Sequence, residues 1–198
     1  VGSEMCIRDS GYIKNIVAYY RREVDAALAV RPHLRRASAG ESIPDFTPDT
    51  AKSFTRGESE YFFAGKRPGV ASFDTPKAVG EYVGRVVRVE KNRFRLDRGG
   101  LLAAGDGICF LTDRGFAGTN VNAADGDCVT PNRMEGIVPG TEVYRNYDHR
   151  FNQLLARSRT RRVIPASVLV EATAGGVRFS YTDCEGVTAS AARSVALE

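Results

Sequence analysis

The sequence predicts a mainly β fold, in which a small antiparallel β-barrel is preceded by one long helix and followed by a second β-rich segment. The first observation is that apolar and charged residues alternate across residues 80–111, where Val and Phe supply β-branched and aromatic side chains. The second is that turns containing Gly or Asn recur at 91–92, 97–100 and 105–107. Strands as short and as closely spaced as these are typical of a small barrel or sandwich.

Composition places the chain among ordinary globular proteins with a mildly basic balance. Its 198 residues predict one or two domains, and a hydrophobic content of 42% is enough for a core. The sequence shows no apolar run long enough to span a membrane and no signal peptide, which predicts a cytoplasmic protein without a membrane partner. The net charge of +4 is compatible with nucleic-acid binding.

The chain carries none of the common catalytic or metal-binding motifs. There is no G-x-S-x-G, H-E-x-x-H or Walker sequence. A calcium loop that began at Asp125 would place Gly136 where a bidentate Glu must stand, so that interpretation fails. The cysteines lack Cys-x-x-Cys spacing and are typical of reduced, structural thiols: Cys6, Cys109, Cys128 and Cys184. The sequence therefore predicts no catalytic residue, metal site or cofactor within this chain.

The first predicted element is a helix from Tyr12 to Val30, which ends before Pro32. Residues 1–10 resemble translated sequencing-adapter sequence and are expected to be a non-native leader; a native frayed terminus is the alternative. The helix has an apolar stripe with no evident partner upstream, formed by Ile13, Ile16, Val17, Tyr20, Val24, Ala27 and Leu28. We therefore expect it to be the last helix of a preceding domain and to stand off the barrel. The expected contrast is that Ile13, Ile16 and Val17 are exposed, whereas Val83, Val86 and Phe110 are buried.

Between this helix and the barrel, the sequence predicts a linker and an irregular connector. Residues 11–53 hold the helix and the linker, in which Thr47 or Asp49 caps a short helix that ends near Phe54. Residues 54–84 are rich in Gly, Pro and aromatic residues and show no periodicity. We expect them to pack on the barrel through four aromatic side chains, Tyr61, Phe62, Phe63 and Phe73. Connector and barrel together form the predicted domain 54–146.

The remaining elements are short strands and one short helix. Further barrel strands are predicted at 118–122, 128–130 and 141–144, and a helix at 148–155. A second domain, residues 147–198, is expected to contain strands at 163–172, 177–181 and 187–191, with a hairpin at Gly175-Gly176. Because the sequence stops inside this pattern, we expect that domain to be truncated.

Four arginines after the predicted short helix form one candidate binding patch: Arg157, Arg159, Arg161 and Arg162. Guanidinium groups suit phosphate oxygens, so the patch predicts contact with nucleic acid. A run of charges is more often a solvated linker, and that alternative stays open.

Five segments, taken in order, resemble the peptidase U32 family, the collagenase-like peptidases. They are residues 12–28, 54–65, 76–86, 102–111 and 143–155. They include a Phe-x-Arg-Gly pattern, followed here by Glu58 where the family often has Gly or an aromatic, and a Leu-x-x-Gly-Asp-Gly pattern. The residues that carry the resemblance are Phe54, Arg56, Gly57, Gly80, Gly84, Gly105, Asp106, Gly107, Tyr144, Arg145 and Asp148.

The resemblance implies a C-terminal accessory region of a collagenase-like protease of the long subgroup, which carries an extra collagenase-associated domain. The catalytic α/β barrel of that hydrolase is not among these residues, so the chain is expected to be inactive alone and to have that barrel as its partner in cis. The alternative is an RNA-binding accessory module of a U32-type protein that hydroxylates transfer or ribosomal RNA, with structured RNA as partner. In the family an iron–sulfur cluster belongs to the catalytic barrel, so no cofactor is expected in this chain.

Overall fold

The computed structural model describes residues 9–57, 59–60, 62–65 and 75–194. Its helices are α1 (Ser10–Ala29) and α2 (His149–Arg157), and a 3-10 turn covers Thr50–Lys52. The strands are β1 (Glu41–Ile43), β2 (Glu81–Val89), β3 (Phe94–Leu96), β4 (Gly107–Thr112), β5 (Gly115–Asp125), β6 (Cys128–Pro131), β7 (Glu142–Tyr147), β8 (Arg161–Val163), β9 (Ala166–Thr173), β10 (Gly176–Asp183) and β11 (Thr188–Ser194). The predicted mainly β fold with an N-terminal helix is confirmed. Most of the predicted leader, including Cys6, lies outside the described residues.

Strands β2 to β7 close into a six-stranded barrel in the order β2-β3-β6-β5-β4-β7, and β7 pairs back to β2. Every neighbouring pair is antiparallel, and a register shift at Gly84 marks an irregularity of the kind that bends a strand. Inward-facing strand residues, together with Ile137 from the segment before β7, form one buried core: Val83, Val86, Phe94, Leu96, Ile108, Phe110, Val121, Val129, Ile137 and Val143. Each large side chain buried there contributes roughly 1.5–3 kcal/mol relative to exposure, so this core stabilises the barrel.

The connector before β2 differs from its prediction. Phe62 is half-exposed and Phe63 is 96% exposed, so the expectation that they pack on the barrel is wrong. Tyr61, Phe73 and Glu58 lie outside the described residues. The short helix is confirmed as the 3-10 turn, because the Asp49 carboxylate accepts a hydrogen bond from the Ala51 N–H at 3.1 Å.

Helix α1 exposes its apolar stripe and docks through a polar side chain instead. Ile13 and Val17 are 54% and 61% exposed, as predicted, while Ile16 is half-buried. On the opposite side, Asn15 is fully buried. Its amide nitrogen donates to the Asp49 carbonyl at 2.6 Å and to Ser53 Oγ at 2.7 Å, and its amide oxygen accepts from the Asp49 N–H at 2.9 Å. The first half of the helix is therefore anchored to the segment that contains Asp49 and Ser53, although the helix was expected to stand off the barrel.

Contacts divide the described residues into two compact units, those within 1–19 and 48–157, and those within 20–47 and 158–198. In the second unit, β1 pairs with β8, and β9, β10 and β11 form an antiparallel sheet in the order β11-β10-β9. The predicted strand 163–172 is interrupted at Ile164-Pro165, where proline cannot donate to a sheet ladder. Strands β9 and β11 expose nearly all their side chains. None of the helices described here has the length and apolar character needed to span a bilayer.

Candidate functional site

Arg145 is the centre of a buried polar cluster at one end of the barrel. It lies on β7, where alternation turns Val143 and Arg145 inward, and its side chain is 7% exposed. Nη1 donates to the Leu101 carbonyl at 2.6 Å and lies 3.4 Å from the Asp106 carboxylate. Nη2 donates to Glu81 on β2 at 2.6 Å. This one guanidinium therefore connects two adjacent strands to the 101–106 turn.

Asp106 completes the link between that turn and helix α2. It is fully buried, and one carboxylate oxygen accepts from the Ala103 N–H at 2.9 Å. The other oxygen accepts from the His149 N–H, also at 2.9 Å. Because a buried carboxylate is costly without partners, these bonds and Arg145 explain why an acid is tolerated here.

Asp148 caps helix α2 and closes the cluster. One carboxylate oxygen accepts from the Phe151 N–H at 2.8 Å, the usual capping geometry. The other accepts from Lys52 Nζ at 2.7 Å and lies 3.3 Å from Arg145. Burial alone would raise the pKa of Asp148, but the Lys52 and Phe151 hydrogen bonds and the Arg145 charge outweigh it and hold this pKa below its usual value of 3.8.

This cluster joins parts of the fold rather than presenting reactive groups. Both oxygens of Asp106 and of Asp148 already accept hydrogen bonds from the protein. A neighbouring cavity of about 320 Å³ opens beside Lys52, Arg145 and Phe151. Within the described part of the chain, no group of three His, Cys, Asp or Glu side chains is arranged to hold a metal ion. The arrangement fits a structural junction between β2, β4, β7 and α2.

The structure brings some of the family-pattern residues together and separates others. Asp106, Arg145 and Asp148 meet in the buried cluster, and Gly105 and Gly107 flank Asp106. Gly80 is required for close approach, because a Cβ there would lie 1.9 Å from the Arg145 carbonyl oxygen. The remaining residues lie outside this cluster. Arg56 donates to the Pro76 carbonyl, and its guanidinium lies over the Phe54 ring at 5.1 Å from the ring centre. The others are Gly57, Gly84 and Tyr144.

The four arginines of the predicted binding patch are all exposed. Arg157 ends α2 in the barrel unit, whereas the other three belong to the second unit. Arg161 and Arg162 are neighbours on β8, so their side chains point to opposite sides of the strand. Arg162 already donates to the Ala39 carbonyl and to Ser38 Oγ.

A larger positive surface lies on the β2–β3 hairpin. This hairpin surface consists of Arg85, Arg88, Lys91, Arg93, Arg95 and Arg98. With Glu90 and Asp97, residues 85–98 carry six basic and two acidic side chains, a net charge of +4. Arg88 has a side chain that is 72% exposed, and Arg85 one that is 56% exposed. The net charge of this one hairpin therefore equals the net charge of the whole chain.

Positive charge on the hairpin surface is concentrated at short range. Arg88 and Arg95 are direct cross-strand partners, an arrangement that places like charges side by side. Asp127 accepts from Arg95 at 2.9 Å and partly compensates. Among the described residues, Lys91 and Arg98 form no ion pair, and the Arg98 guanidinium lies 5.2 Å from the Tyr82 ring centre. Hydrogen bonding to Arg93 lowers the pKa of Glu90, so this acid stays ionised at neutral pH.

Sequence reasoning missed this surface because its charged residues were used only as the alternating partners of apolar residues that predict strands. The available signal was the density of basic residues on a predicted hairpin whose apolar positions alternate with them. Strand pairing then places basic side chains from two strands next to one another.

Comparisons with known proteins give one informative relationship. No protein-family profile matches the chain, and no solved structure matches it either. The chain is 33% identical over 190 residues to the 23S rRNA 5-hydroxycytidine C2501 synthase of Escherichia coli strain K12, a match that covers 91% of this chain. The chain spans 29% of the length of that relative. The expectation of a peptidase, a protease, a hydrolase or a collagenase-like protein is therefore wrong, because the relative is an enzyme that modifies ribosomal RNA.

Proposed function

We propose that this chain is an RNA-binding accessory region of a U32-type enzyme that modifies ribosomal RNA. The observation that carries the proposal is the match along 91% of the chain to an rRNA 5-hydroxycytidine synthase. Because the chain spans only 29% of that relative, the chemistry is assigned to a catalytic domain elsewhere in the parent protein, and that domain is the proposed partner in cis. The role left to this chain is to hold structured RNA.

The hairpin surface supplies the chemistry that such a role needs. Guanidinium groups donate to phosphate oxygens in a fixed fork, and exposed arginines at this spacing suit an RNA backbone. Two tyrosines extend the surface, since Tyr82 and Tyr144 lie edge to face with ring centres 5.5 Å apart. Aromatic rings beside arginines are the usual platform for unpaired bases.

RNA binding by the purified chain is the direct test of this proposal. A titration with a structured fragment of 23S rRNA, followed by fluorescence anisotropy at several salt concentrations, should show binding at low salt. Phosphate contacts release counterions, so the dissociation constant should rise steeply as salt increases. Absence of binding at low salt, or binding that ignores salt, would overturn the proposal.

The double variant Arg88→Ser/Arg98→Ser identifies the surface that binds. We expect its affinity to fall by about tenfold or more and its salt dependence to weaken, because phosphate contacts are lost. The variant Arg157→Ser/Arg159→Ser removes the same charge and serves as the matched control, with an expected change below about threefold. If the control loses affinity and the hairpin variant does not, the contact belongs to residues 157–162 and the hairpin assignment is wrong.

A further inference from the structure

A second polar pocket lies on the barrel, away from the buried Arg145 cluster. Its volume is about 290 Å³, and its chemistry comes from three asparagines and one arginine: Asn120, Asn132, Asn146 and Arg133. The asparagines come from β5, from the segment after β6 and from β7. Two hydrogen bonds hold these parts together: the Asn132 N–H donates to the Asn120 carbonyl at 2.7 Å, and the Arg133 N–H donates to the side-chain Oγ1 of Thr119 at 3.0 Å.

The side-chain amides in this pocket are left unused by the protein. Asn120 and Asn132 are exposed and Asn146 is half-buried, and in the part of the chain that the structure describes no protein hydrogen bond engages their side-chain amides. Gly107 makes room for one of them, because a Cβ at that position would lie 2.7 Å from Asn146 Oδ1. The strands and the segment after β6 therefore converge on a small space that three free amides line.

The donor and acceptor set of this pocket matches the edge of a nucleobase. Each asparagine offers an acceptor oxygen and two N–H donors, the complement of the mixed donors and acceptors on a base. No carboxylate lines the pocket, so a cation has no counter-charge there, whereas Arg133 suits a phosphate or the face of a base. The volume lies at the lower end of small-molecule pockets, which suits one base rather than a larger ligand.

The pocket continues the outer surface that the proposed function uses. On β7, Val143 and Arg145 point inward, so Glu142, Tyr144 and Asn146 share the outer face. Tyr144 belongs to the aromatic pair beside the hairpin surface, and Asn146 lines the pocket. One strand thus leads from the arginines and tyrosines to the asparagines.

We propose that this pocket binds a single unstacked nucleobase of the RNA whose phosphates contact the hairpin surface. The inference rests on the proposed function, since it assumes that RNA is the partner. It assigns a different role to each surface: the arginines bind the RNA phosphate backbone, and the asparagine pocket distinguishes unpaired from paired RNA.

Two RNAs of equal length separate this inference from the proposed function: a stem with an unpaired loop and a fully paired duplex. We expect the wild-type chain to bind both and to prefer the looped RNA. The variant Asn120→Ala/Asn146→Ala should lose about tenfold for the looped RNA, since hydrogen bonds to the base edge are lost, and almost nothing for the duplex. Asn122→Ala, on the same strand but outside the pocket, is the matched control and should leave both affinities unchanged.

The outcomes assign failure to one proposal or the other. If the wild-type chain binds neither RNA, the proposed function fails. If it binds both and the double variant keeps the wild-type preference for the loop, the nucleobase pocket alone is wrong. A second measurement does not depend on variants: photo-crosslinking of wild-type chain to loops that contain 4-thiouridine should label peptides with Asn120, Asn132 or Asn146. Crosslinks found only outside those peptides would overturn the inference.

Discussion

At the scale of single residues, the molecule buries ionised groups and gives most of their polar atoms a partner, although Nε of Arg145 has none among the described residues. Arg145 touches three acidic side chains, and both oxygens of Asp106 and of Asp148 accept hydrogen bonds. Removing one partner of such a cluster leaves another charge uncompensated, which costs more than the net value of the pair. The consequence is that conservative substitutions in the cluster should have measurable effects on stability.

Asp148→Asn tests the acid side of this cluster. Asparagine can still cap α2, but it loses the charged bonds to Lys52 and Arg145, so the free energy of unfolding at pH 7 should fall by about 1–3 kcal/mol. Because the pKa of Asp148 is depressed below 3.8 in the folded state, its contribution is present above that pH and is lost as pH falls through the folded value. Urea denaturation at pH 7 and pH 3 should show the difference shrinking in acid. Asp113→Asn, at an exposed turn, is the control, and a difference that does not vary with pH would contradict this prediction.

The cysteines should differ strongly in reactivity. Cys109 is buried, its thiol lies 3.3 Å from the Val79 carbonyl, and burial raises its pKa to about 11. Its thiolate fraction at pH 8 is then on the order of one in a thousand, and the thiolate is the reactive form. Exposed Cys184 should react with iodoacetamide first, and Cys109 should react only after denaturation. Peptide mass spectrometry over time checks this order, and equal labelling rates would refute it.

At the scale of elements, close backbone approach fixes how strand β2 enters the barrel. Gly80 immediately precedes β2 and has a φ of +80°, with its α-carbon packed against the backbone of β7. Both the left-handed conformation and the lack of space favour glycine there. Pairing between β2 and β7 closes the barrel, so a backbone distortion at Gly80 should weaken closure of the whole barrel.

Gly80→Ala should destabilise the barrel far more than an equivalent substitution in open space. Gly100 is the control, because its φ is +81° and no atom lies within 4 Å of its hypothetical Cβ. Gly100→Ala should cost about 1–2 kcal/mol for the conformation alone. Gly80→Ala adds overlap with the Arg145 carbonyl and should cost more than about 3 kcal/mol in total. If chemical denaturation shows that both variants lose the same free energy of unfolding, the close approach of Gly80 to β7 does not contribute to stability.

Helix α1 offers a comparison between its polar anchor and its apolar stripe. Asn15→Ala leaves the Asp49 backbone groups without their partners and should lower the free energy of unfolding by about 1–3 kcal/mol. Val17→Ala removes an exposed side chain and should change it by less than about 0.5 kcal/mol. Thermal denaturation of the two variants measures both values. A larger loss for Val17→Ala would mean that the stripe is covered in solution.

At the scale of the whole molecule, the barrel was predictable and its polar junction was not. Alternating apolar residues and closely spaced glycine turns are local signals, and they identified the strands from Val83 to Tyr144. Asp106 and Arg145 are 39 residues apart, and no local sequence pattern predicts that their side chains are in contact. Packing of Phe62 and Phe63 on the barrel was expected wrongly, because the hydrophobicity of a side chain does not determine whether the fold supplies a surface that buries it. The break at Pro165 was visible in the sequence but was not used.

Closure of the barrel affects how much the protein must rearrange when a charged ligand binds. Strand β2 is hydrogen-bonded to β3 on one side and to β7 on the other, so the backbone beneath Arg85 and Arg88 is ordered before any ligand arrives. A polyanion that docks there restricts only flexible side-chain ends, at a cost of about 0.5–1.5 kcal/mol for each one immobilised. No segment of β2 has to fold first. If RNA binds this face as proposed, its association rate should therefore be set by diffusional encounter and charge attraction rather than by rearrangement of β2.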